Sequence, residues 1–207
     1  MLSKFLNLSQ EKRERIINAA LMEFVKKGYK NASTNEIVKE ANISKGLLFH
    51  YFENKIGLFL YLYDYSCETV LNACYGRFNL IETDLFERLI QFAAFKLEII
   101  KKYPMMYQFL IKAAIDGSPE VKKELEARSL SMLEDFGRKI YTGFDTSKFR
   151  DGIDIQSAIS ITVWTGEGLS NRELARIKND PSYVLDVDKS TSEYYGYIEQ
   201  LKKCFYK

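Results

Sequence analysis

STNEIVKEANISKGLLFHYFENK, residues 33–55, is the stretch of sequence that decides the fold. Its pattern predicts two short helices joined by a tight turn, followed by the start of a third helix. Ser33, with Glu36 three residues later, has the sequence of a capping box that begins the first helix. Asn42 falls where the chain must turn, and asparagine tolerates the left-handed backbone region better than most residues.

The second helix of this stretch is expected to present one face outward. Ser44 can cap it, and Leu48 and Phe52 share a face because they lie four residues apart. Two helices joined in this way, with the second helix exposed, have the geometry that fits the major groove of DNA. The residues left partly or wholly free on the second helix are Lys45, Gly46, Leu47, Phe49, His50 and Tyr51.

The first quarter of the chain, about fifty residues, resembles the TetR family of transcriptional regulators. The resemblance rests on AALMEF (residues 19–24), KGY (27–29), the stretch 33–55 and the residues that follow it to Leu60. It implies an all-α protein that binds a pseudo-palindromic DNA operator as a homodimer. It also implies that Thr34, Asn35 and Lys55 hold the phosphate backbone or, for Asn35, reach a base.

The predicted DNA contacts divide by chemistry. Lys45 and His50 can donate to base edges or phosphates, Gly46 allows close backbone approach, and Leu47 can meet a thymine methyl. Two alternatives stay open, since His50 could be an ordinary surface histidine and Tyr51 could pack as a core aromatic. The full set is Thr34, Asn35, Lys45, Gly46, Leu47, Phe49, His50, Tyr51 and Lys55.

Composition is that of an ordinary globular protein. The 207 residues are 46% hydrophobic and 28% charged. No apolar run is long enough to cross a bilayer and no secretion signal is visible, so we expect a cytoplasmic protein without a membrane partner. The spacing of Cys67, Cys74 and Cys204 with a single histidine predicts plain thiols, and neither a metal nor another cofactor.

Charge is distributed unevenly along the chain. Residues 1–60 contain ten Lys and Arg and six acidic residues, a net charge of +4, whereas the whole chain carries +2. The excess of positive charge therefore accompanies the predicted helix-turn-helix, as binding to phosphates would require.

The sequence predicts an all-α protein of about nine helices in two parts. A three-helix DNA-binding head spans residues 1–54, and a helical ligand-binding and dimerisation domain spans residues 55–207. Gly57, near the start of the fourth helix, reads either as a tolerated surface glycine or as a soft joint between the two parts. The remaining helices are predicted at about 9–27, 54–75, 85–102, 104–116, 119–141 and 154–177, with a last helix capped by Ser190 and Glu193.

The helix predicted from residue 154 is apolar on all sides over its first half. No charged residue occurs between Ile155 and Gly166, so the helix must be covered all round. Its own core on one side and a second molecule on the other is the economical explanation. We therefore expect the last two helices of each chain to form a four-helix dimer interface, as the family resemblance also implies.

An adaptable apolar pocket in the body is expected to bind a small effector of unknown identity. Each aromatic or methionine could equally be core filling, and Glu167 could anchor a ligand or a dimer contact. Effector binding would tilt the helix that starts at Asn54 and separate the two heads. The candidate lining residues are Tyr61, Tyr65, Phe92, Phe95, Met106, Phe109, Trp164 and Glu167.

Together these features predict a ligand-responsive transcriptional repressor. An enzyme is disfavoured because the chain has no Gly-rich phosphate loop, GxSxG or HExxH, and its only histidine is in the recognition helix. The alternative is an architectural or partner-docking DNA-binding protein of the same fold that ignores small ligands.

Overall fold

A computed structural model describes residues 2–75, 82–180 and 182–207, without the side chains of 74, 75, 130–136 and 139. These ranges contain ten α-helices and one short 3-10 turn, Thr146–Lys148, and no β-strand, which confirms the all-α prediction. None of the described helices combines the length and the apolar character needed to span a membrane. The helices are α1 Leu2–Leu6, α2 Gln10–Asn31, α3 Thr34–Glu40, α4 Lys45–Phe52, α5 Lys55–Tyr75, α6 Leu85–Lys102, α7 Pro104–Ile115, α8 Pro119–Ile140, α9 Ile155–Asn179 and α10 Val187–Phe205.

Two helix starts differ from the sequence prediction. Helix α1 was not foreseen, which is why the described residues hold ten helices rather than about nine. Helix α10 begins earlier than predicted because Asp186, not Ser190, is its cap: the Asp186 carboxylate accepts the backbone N–H of Lys189 at 2.9 Å. Aspartate and serine cap a helix about equally well, because the side chain of either can accept a free N–H of the first turn. The residue type alone therefore does not tell which of Asp186 and Ser190 begins the helix.

The chain divides by its contacts into two units. Unit 1 comprises residues 1–71 and 103–130, and unit 2 comprises residues 72–102 and 131–207. The three predicted head helices therefore share a unit with α7 and the first half of α8. The predicted boundary between a DNA-binding domain, residues 1–54, and a ligand-binding and dimerisation domain, residues 55–207, concerns function and not contacts. It stays a prediction.

Aromatic rings hold unit 1 together. Phe24 on α2, Phe59 on α5 and Phe109 on α7 are each at most 2% exposed, and the Phe59 ring lies 5.0 Å from each of the other two. Phe109 is thus a core residue of unit 1, and its prediction as a ligand-lining residue is wrong. A three-helix head has too little apolar surface to bury by itself, so its core is completed by α7.

Unit 2 has a core built from α6, α8, α9 and α10 with the segment between α8 and α9. Its central positions are Leu85, Phe86, Leu89, Ile140, Phe149, Ala158, Ile198 and Tyr206. Two contacts hold the carboxyl end of the chain. Phe149 and Tyr206 form an isolated antiparallel backbone bridge, and the Arg150 guanidinium donates to the Tyr206 carbonyl at 2.6 Å.

Two buried charged residues organise this core. Asp84 caps α6 by accepting the backbone N–H of Phe86 at 2.9 Å, and it pairs with the Lys148 ammonium at 3.0 Å. Burial alone would raise the pKa of Asp84, but the Lys148 ammonium, the Glu87 N–H and Lys202 outweigh burial and hold this pKa below its ordinary value.

Arg88 is only 4% exposed and closes the carboxyl end of α8. Its guanidinium donates to the carbonyls of Thr142 at 2.7 Å and Gly143 at 3.0 Å, and also to those of Glu82 and Ile140. The carbonyls of Ile140, Thr142 and Gly143 lie at or just beyond the carboxyl end of α8, where backbone acceptors lack helical partners, so one side chain satisfies several of them.

The cysteines agree with plain thiols where they are described. Cys67 is buried, and burial raises the pKa of its thiol to about 12, so the thiolate is suppressed at neutral pH. Cys204 is exposed and free, and the side chain of Cys74 lies outside the described residues.

Candidate nucleic-acid interface

Helices α3 and α4 form the predicted helix-turn-helix. The Ser33 hydroxyl accepts the backbone N–H of Glu36 at 3.4 Å, which is one half of the expected capping box. The other half comes from elsewhere, because the backbone N–H of Ser33 donates to the Glu23 carboxylate on α2 at 2.8 Å. Asn42 takes a positive φ of 51° in the turn, as predicted. The turn is therefore fixed by its own sequence and by a side chain of the preceding helix.

Helix α4 presents one face outward and buries the other. The Ser44 hydroxyl accepts the backbone N–H of Leu47 at 3.2 Å and caps the helix as predicted. Leu48 and Phe52 are 1% and 4% exposed, and they anchor α4 to the rest of unit 1. On the outward face Lys45, Gly46 and His50 are exposed, and Leu47 and Phe49 are half-buried.

Tyr51 departs from its prediction as a DNA contact. It is only 6% exposed, and its ring packs edge-on against Phe5 of α1 at 5.6 Å between centroids. The ring is therefore not free to meet a duplex, because α1 covers this side of α4. Of the two alternatives that the sequence left open for Tyr51, core packing is the one observed.

The remaining predicted contacts fall at the edges of this face. Asn35 is exposed and Thr34 is half-buried at the start of α3. The Lys55 ammonium lies 4.9 Å from the centre of the Tyr29 ring and donates to the Lys30 carbonyl at 3.0 Å. Lys55 is thus already held within unit 1, whereas Lys45 reaches only over the Phe49 ring of its own helix, at 5.8 Å.

Gly57 has a role that neither sequence interpretation described. A Cβ atom at this position would lie 2.2 Å from the carbonyl oxygen of Phe52, the last residue of α4. Asn54 closes the same corner, because its side chain accepts the backbone N–H of Gly57 at 2.8 Å. Gly57 is therefore required by close approach of the backbone where α5 follows α4.

The eight predicted effector residues belong to different units. Tyr61, Tyr65, Met106 and Phe109 are in unit 1, and Phe92, Phe95, Trp164 and Glu167 are in unit 2. Tyr61 and Tyr65 are half-buried and stack with centroids 6.0 Å apart. Phe92, Phe95 and Met106 are also half-buried, and Phe92 packs against the core of unit 2.

Trp164 and Glu167 do not lie on an inward face. Trp164 is 66% exposed and Glu167 is exposed, which corrects their assignment to a pocket lining. Helix α9 buries Ala158 and Thr162. Trp164 is two residues after Thr162, about 200° around the helix axis, and therefore points the opposite way.

Helix α1 supports α4 and α5 from a side that the sequence pattern did not predict. Phe5 is fully buried, and its ring lies 4.8 Å from that of Phe52 and 5.3 Å from that of Tyr61. The available signal was the spacing of Leu2, Phe5 and Leu6, which matches one side of a short helix.

Comparison with known proteins agrees with this geometry. The family model for bacterial regulatory proteins of the tetR family matches residues 16–62, the segment from α2 into α5. The HTH-type transcriptional regulator YuxN of Bacillus subtilis (strain 168) is 43% identical over 67 residues, which are 30% of this chain and 23% of that protein. The matches to curated relatives span about a quarter of their length.

Solved structures resemble the chain over nearly its whole length. A TetR family transcriptional regulator from Chloroflexus aurantiacus J-10-FL is 24% identical with a TM-score of 0.59, covering 99% of this chain and 98% of that one. The fatty acid degradation regulator FadR from Bacillus halodurans is 16% identical with a TM-score of 0.62, covering 92% and 95%. At these identities the likeness shows the fold.

The described residues are all-helical apart from turns and loops, with an amino-terminal helix-turn-helix whose second helix, α4, has an exposed face. The segment that contains the helix-turn-helix, residues 16–62, resembles the bacterial regulatory proteins of the tetR family. The relatives and structural neighbours described above are transcriptional regulators and not enzymes.

Proposed function

We propose that the protein is a ligand-responsive transcriptional repressor that binds a pseudo-palindromic DNA operator as a homodimer in the cytoplasm. The observation that carries this proposal is the outward face of α4, where Lys45, Gly46 and His50 are exposed at the end of a capped turn. Lysine and histidine can donate to base edges and phosphates, and a glycine lets the helix backbone approach the duplex.

The contacts to DNA would come from fewer residues than the sequence predicted. Lys45, Gly46, Leu47, Phe49 and His50 supply the face that enters the major groove, while Thr34 and Asn35 at the start of α3 lie against the backbone. Lys55 reaches a phosphate only by giving up the Lys30 carbonyl that it holds at 3.0 Å. The positive charge of residues 1–60 supports the same orientation.

The proposed homodimer interface consists of α9 and α10, because both helices carry large apolar side chains that are exposed in unit 2. Ile161 and Trp164 on α9 are 41% and 66% exposed, and Tyr197 on α10 is 45% exposed. Large exposed apolar side chains on adjacent helices are typical of an association surface. A homodimer has two copies of α4, one for each half-site of a pseudo-palindromic operator.

An effector site is proposed because unit 1 contains an unsatisfied polar atom. The Ser66 hydroxyl on α5 is fully buried and has no hydrogen-bond partner among the described residues. A buried hydroxyl without a partner is costly in free energy, and a bound molecule can satisfy it. Because one structural neighbour is a fatty acid degradation regulator, decanoate is the first probe to test as an effector.

The test begins with selection of binding sites from random duplex DNA, followed by fluorescence anisotropy on the selected site. His50→Ala should weaken binding to that site by about 10- to 100-fold, since a base contact contributes about 1–3 kcal/mol of discrimination. Lys45→Ala should weaken binding and, if Lys45 meets a phosphate, lower the salt slope by about one.

Lys26→Ala is the matched control, because Lys26 is an exposed lysine of the same unit on a different helix, α2. It removes the same charge and should change operator affinity by less than Lys45→Ala does. Equal binding of selected and shuffled duplexes, or equal losses for Lys26→Ala and Lys45→Ala, would refute sequence reading by α4.

The architectural alternative differs in its response to small molecules. A repressor of this design should lose operator affinity when its effector is added, whereas an architectural protein should not. Ser66→Ala should abolish that response and leave operator binding without ligand intact. If none of a panel of apolar acids, alcohols and amines, decanoate included, changes operator affinity, the architectural function is favoured.

A further inference from the structure

A groove of about 570 Å³ lies between α1, α2 and α5 within unit 1. This volume is within the range of pockets that bind small molecules. Leu2 and Leu6 of α1 line the groove beside Phe5 of the same helix, which is buried against α4 and α5. The groove is separate from the outward face of α4.

One part of the groove wall is apolar and aromatic. Leu2 and Leu6 on α1 are 41% and 49% exposed, and they face the groove with Ile17 of α2. Across from them, the rings of Tyr61 and Tyr65 stack within 16° of parallel, with centroids 6.0 Å apart. This wall can take an alkyl chain, and an accessible tyrosine ring face attracts a cation.

The other part of the wall is acidic. Glu14, Asp64 and Glu68 contribute three carboxylates, against one guanidinium from Arg13. Arg13 is committed to the Leu6 carbonyl and Asp64 to Arg128 at 3.0 Å. Glu68 is exposed and forms no hydrogen bond or ion pair among the described residues. The lining thus has an excess of negative charge and one carboxylate without a partner among the residues that the structure describes.

We propose that this groove binds an amphiphilic organic cation, that is, a substituted ammonium group carrying an apolar chain. The ammonium lies between the Glu68 carboxylate and the stacked tyrosine rings, where ion pairing and cation–π attraction act together. The chain lies along Leu2, Leu6 and Ile17. Neither DNA binding nor the effector site on α5 is needed for this inference.

Occupancy of the groove is coupled to the recognition helix through α1. Phe5 on the inner side of α1 contacts Tyr51 and Phe52 of α4, with ring centroids 5.6 and 4.8 Å away. A ligand that packs on Leu2 and Leu6 therefore holds α1 against α4. Binding is expected to reduce the opening of both helices.

The experiment is isothermal titration of the full-length protein with decyltrimethylammonium below its micellar concentration. Decyl glucoside, which has the same chain and no charge, is the matched ligand. We expect the cation to bind at least tenfold more tightly than the glucoside and to weaken as salt rises. Hydrogen exchange with and without the cation should show protection within residues 2–17 and 58–71.

Variants then separate the groove from any other apolar site. Glu68→Gln and Tyr65→Leu should each weaken the cation about three- to tenfold, as loss of an ion pair or a cation–π contact would. Glu126→Gln is the control, because Glu126 is an exposed glutamate of unit 1 on α8 that does not line the groove. It should leave the affinity unchanged.

Three results would each overturn the proposal. The first is equal affinity of the protein for the cation and for the glucoside. The second is an equal effect of Glu68→Gln and Glu126→Gln on the affinity for the cation. The third is protection from hydrogen exchange only at residues outside 2–17 and 58–71. Loss of operator binding in His50→Ala has no bearing on these measurements, so failure of the DNA-binding proposal and failure of this one are distinguishable.

Discussion

Replacing Gly57 by alanine tests whether close packing of the backbone between α4 and α5 requires a glycine there. The added methyl carbon would lie 2.2 Å from the Phe52 carbonyl oxygen, whereas real Cβ contacts are essentially never shorter than 3.0 Å. The clashing atom belongs to the backbone and cannot rotate away as a side chain could. It also accepts the N–H of Asn54 at 2.7 Å. The backbones of α4 and α5 must therefore move apart by about an ångström to remove the overlap.

Two effects of opposite sign decide the magnitude. Alanine is favoured over glycine inside a helix by about 1 kcal/mol. Overpacking that forces a backbone shift costs about 1–3 kcal/mol or more, and the overlap with a carbonyl oxygen is severe enough to place Gly57→Ala at the upper end. We expect a net loss of about 2 kcal/mol in the free energy of unfolding.

The assay is urea unfolding followed by circular dichroism at 222 nm, with Gly46→Ala as the matched variant. A Cβ at Gly46 would meet no atom within 4 Å, so this substitution in α4 should be neutral or stabilise by up to about 1 kcal/mol. Gly46→Ala should nevertheless weaken operator binding, because its methyl group lies on the outward face. If Gly57→Ala proves as stable as the natural protein, close approach is not the reason for glycine at this corner.

Three further substitutions test individual contacts. Phe5→Ala removes a fully buried ring from α4 and α5 and should destabilise unit 1 by about 3–5 kcal/mol in urea unfolding, whereas Leu6→Ala, at an exposed position of the same helix, should cost far less. Arg88→Met leaves several backbone carbonyls at the end of α8 without a donor and should cost about 3 kcal/mol; a loss under 1 kcal/mol would contradict that role. The pKa of Asp84 is lowered in the folded protein, so its stabilising contribution is complete above the unfolded pKa of about 3.9 and disappears as pH falls through the lower folded value. Asp84→Asn should therefore be less stable than the natural protein at pH 7, and the difference should shrink in unfolding measurements below about pH 4.

Much of the helical framework was predictable because its signals are local. Ser33, Ser44 and Asp84 were identified as caps from neighbouring residues, and each accepts the backbone N–H expected of it. Helix α6 was predicted at its observed bounds, and Pro104 and Pro119 each begin a helix, as predicted. Capping and the position of proline depend on a few consecutive residues, so one sequence contains the information.

The misses share a different cause. Tyr51 and Phe109 are aromatic residues on amphipathic helices, and nothing in their spacing says which of two faces another helix will cover. Tyr51 is buried because α1 packs on it, and Phe109 because α2 packs on α7. Trp164 shows the converse, since its apolar character suggested burial and the side chain is 66% exposed.

By itself the sequence determined most of the helices, though not α1 or the start of α10, as well as the turn between α3 and α4 and the charge of the amino-terminal part. These features depend on capping, backbone conformation and composition. The tertiary structure alone decided which face each helix buries. It alone showed that Lys45 and His50 stay outward while Tyr51 turns inward, and that glycine is required at position 57. The physical reason is that burial and close approach depend on residues distant in sequence, here Phe5 against α4, which no local pattern specifies.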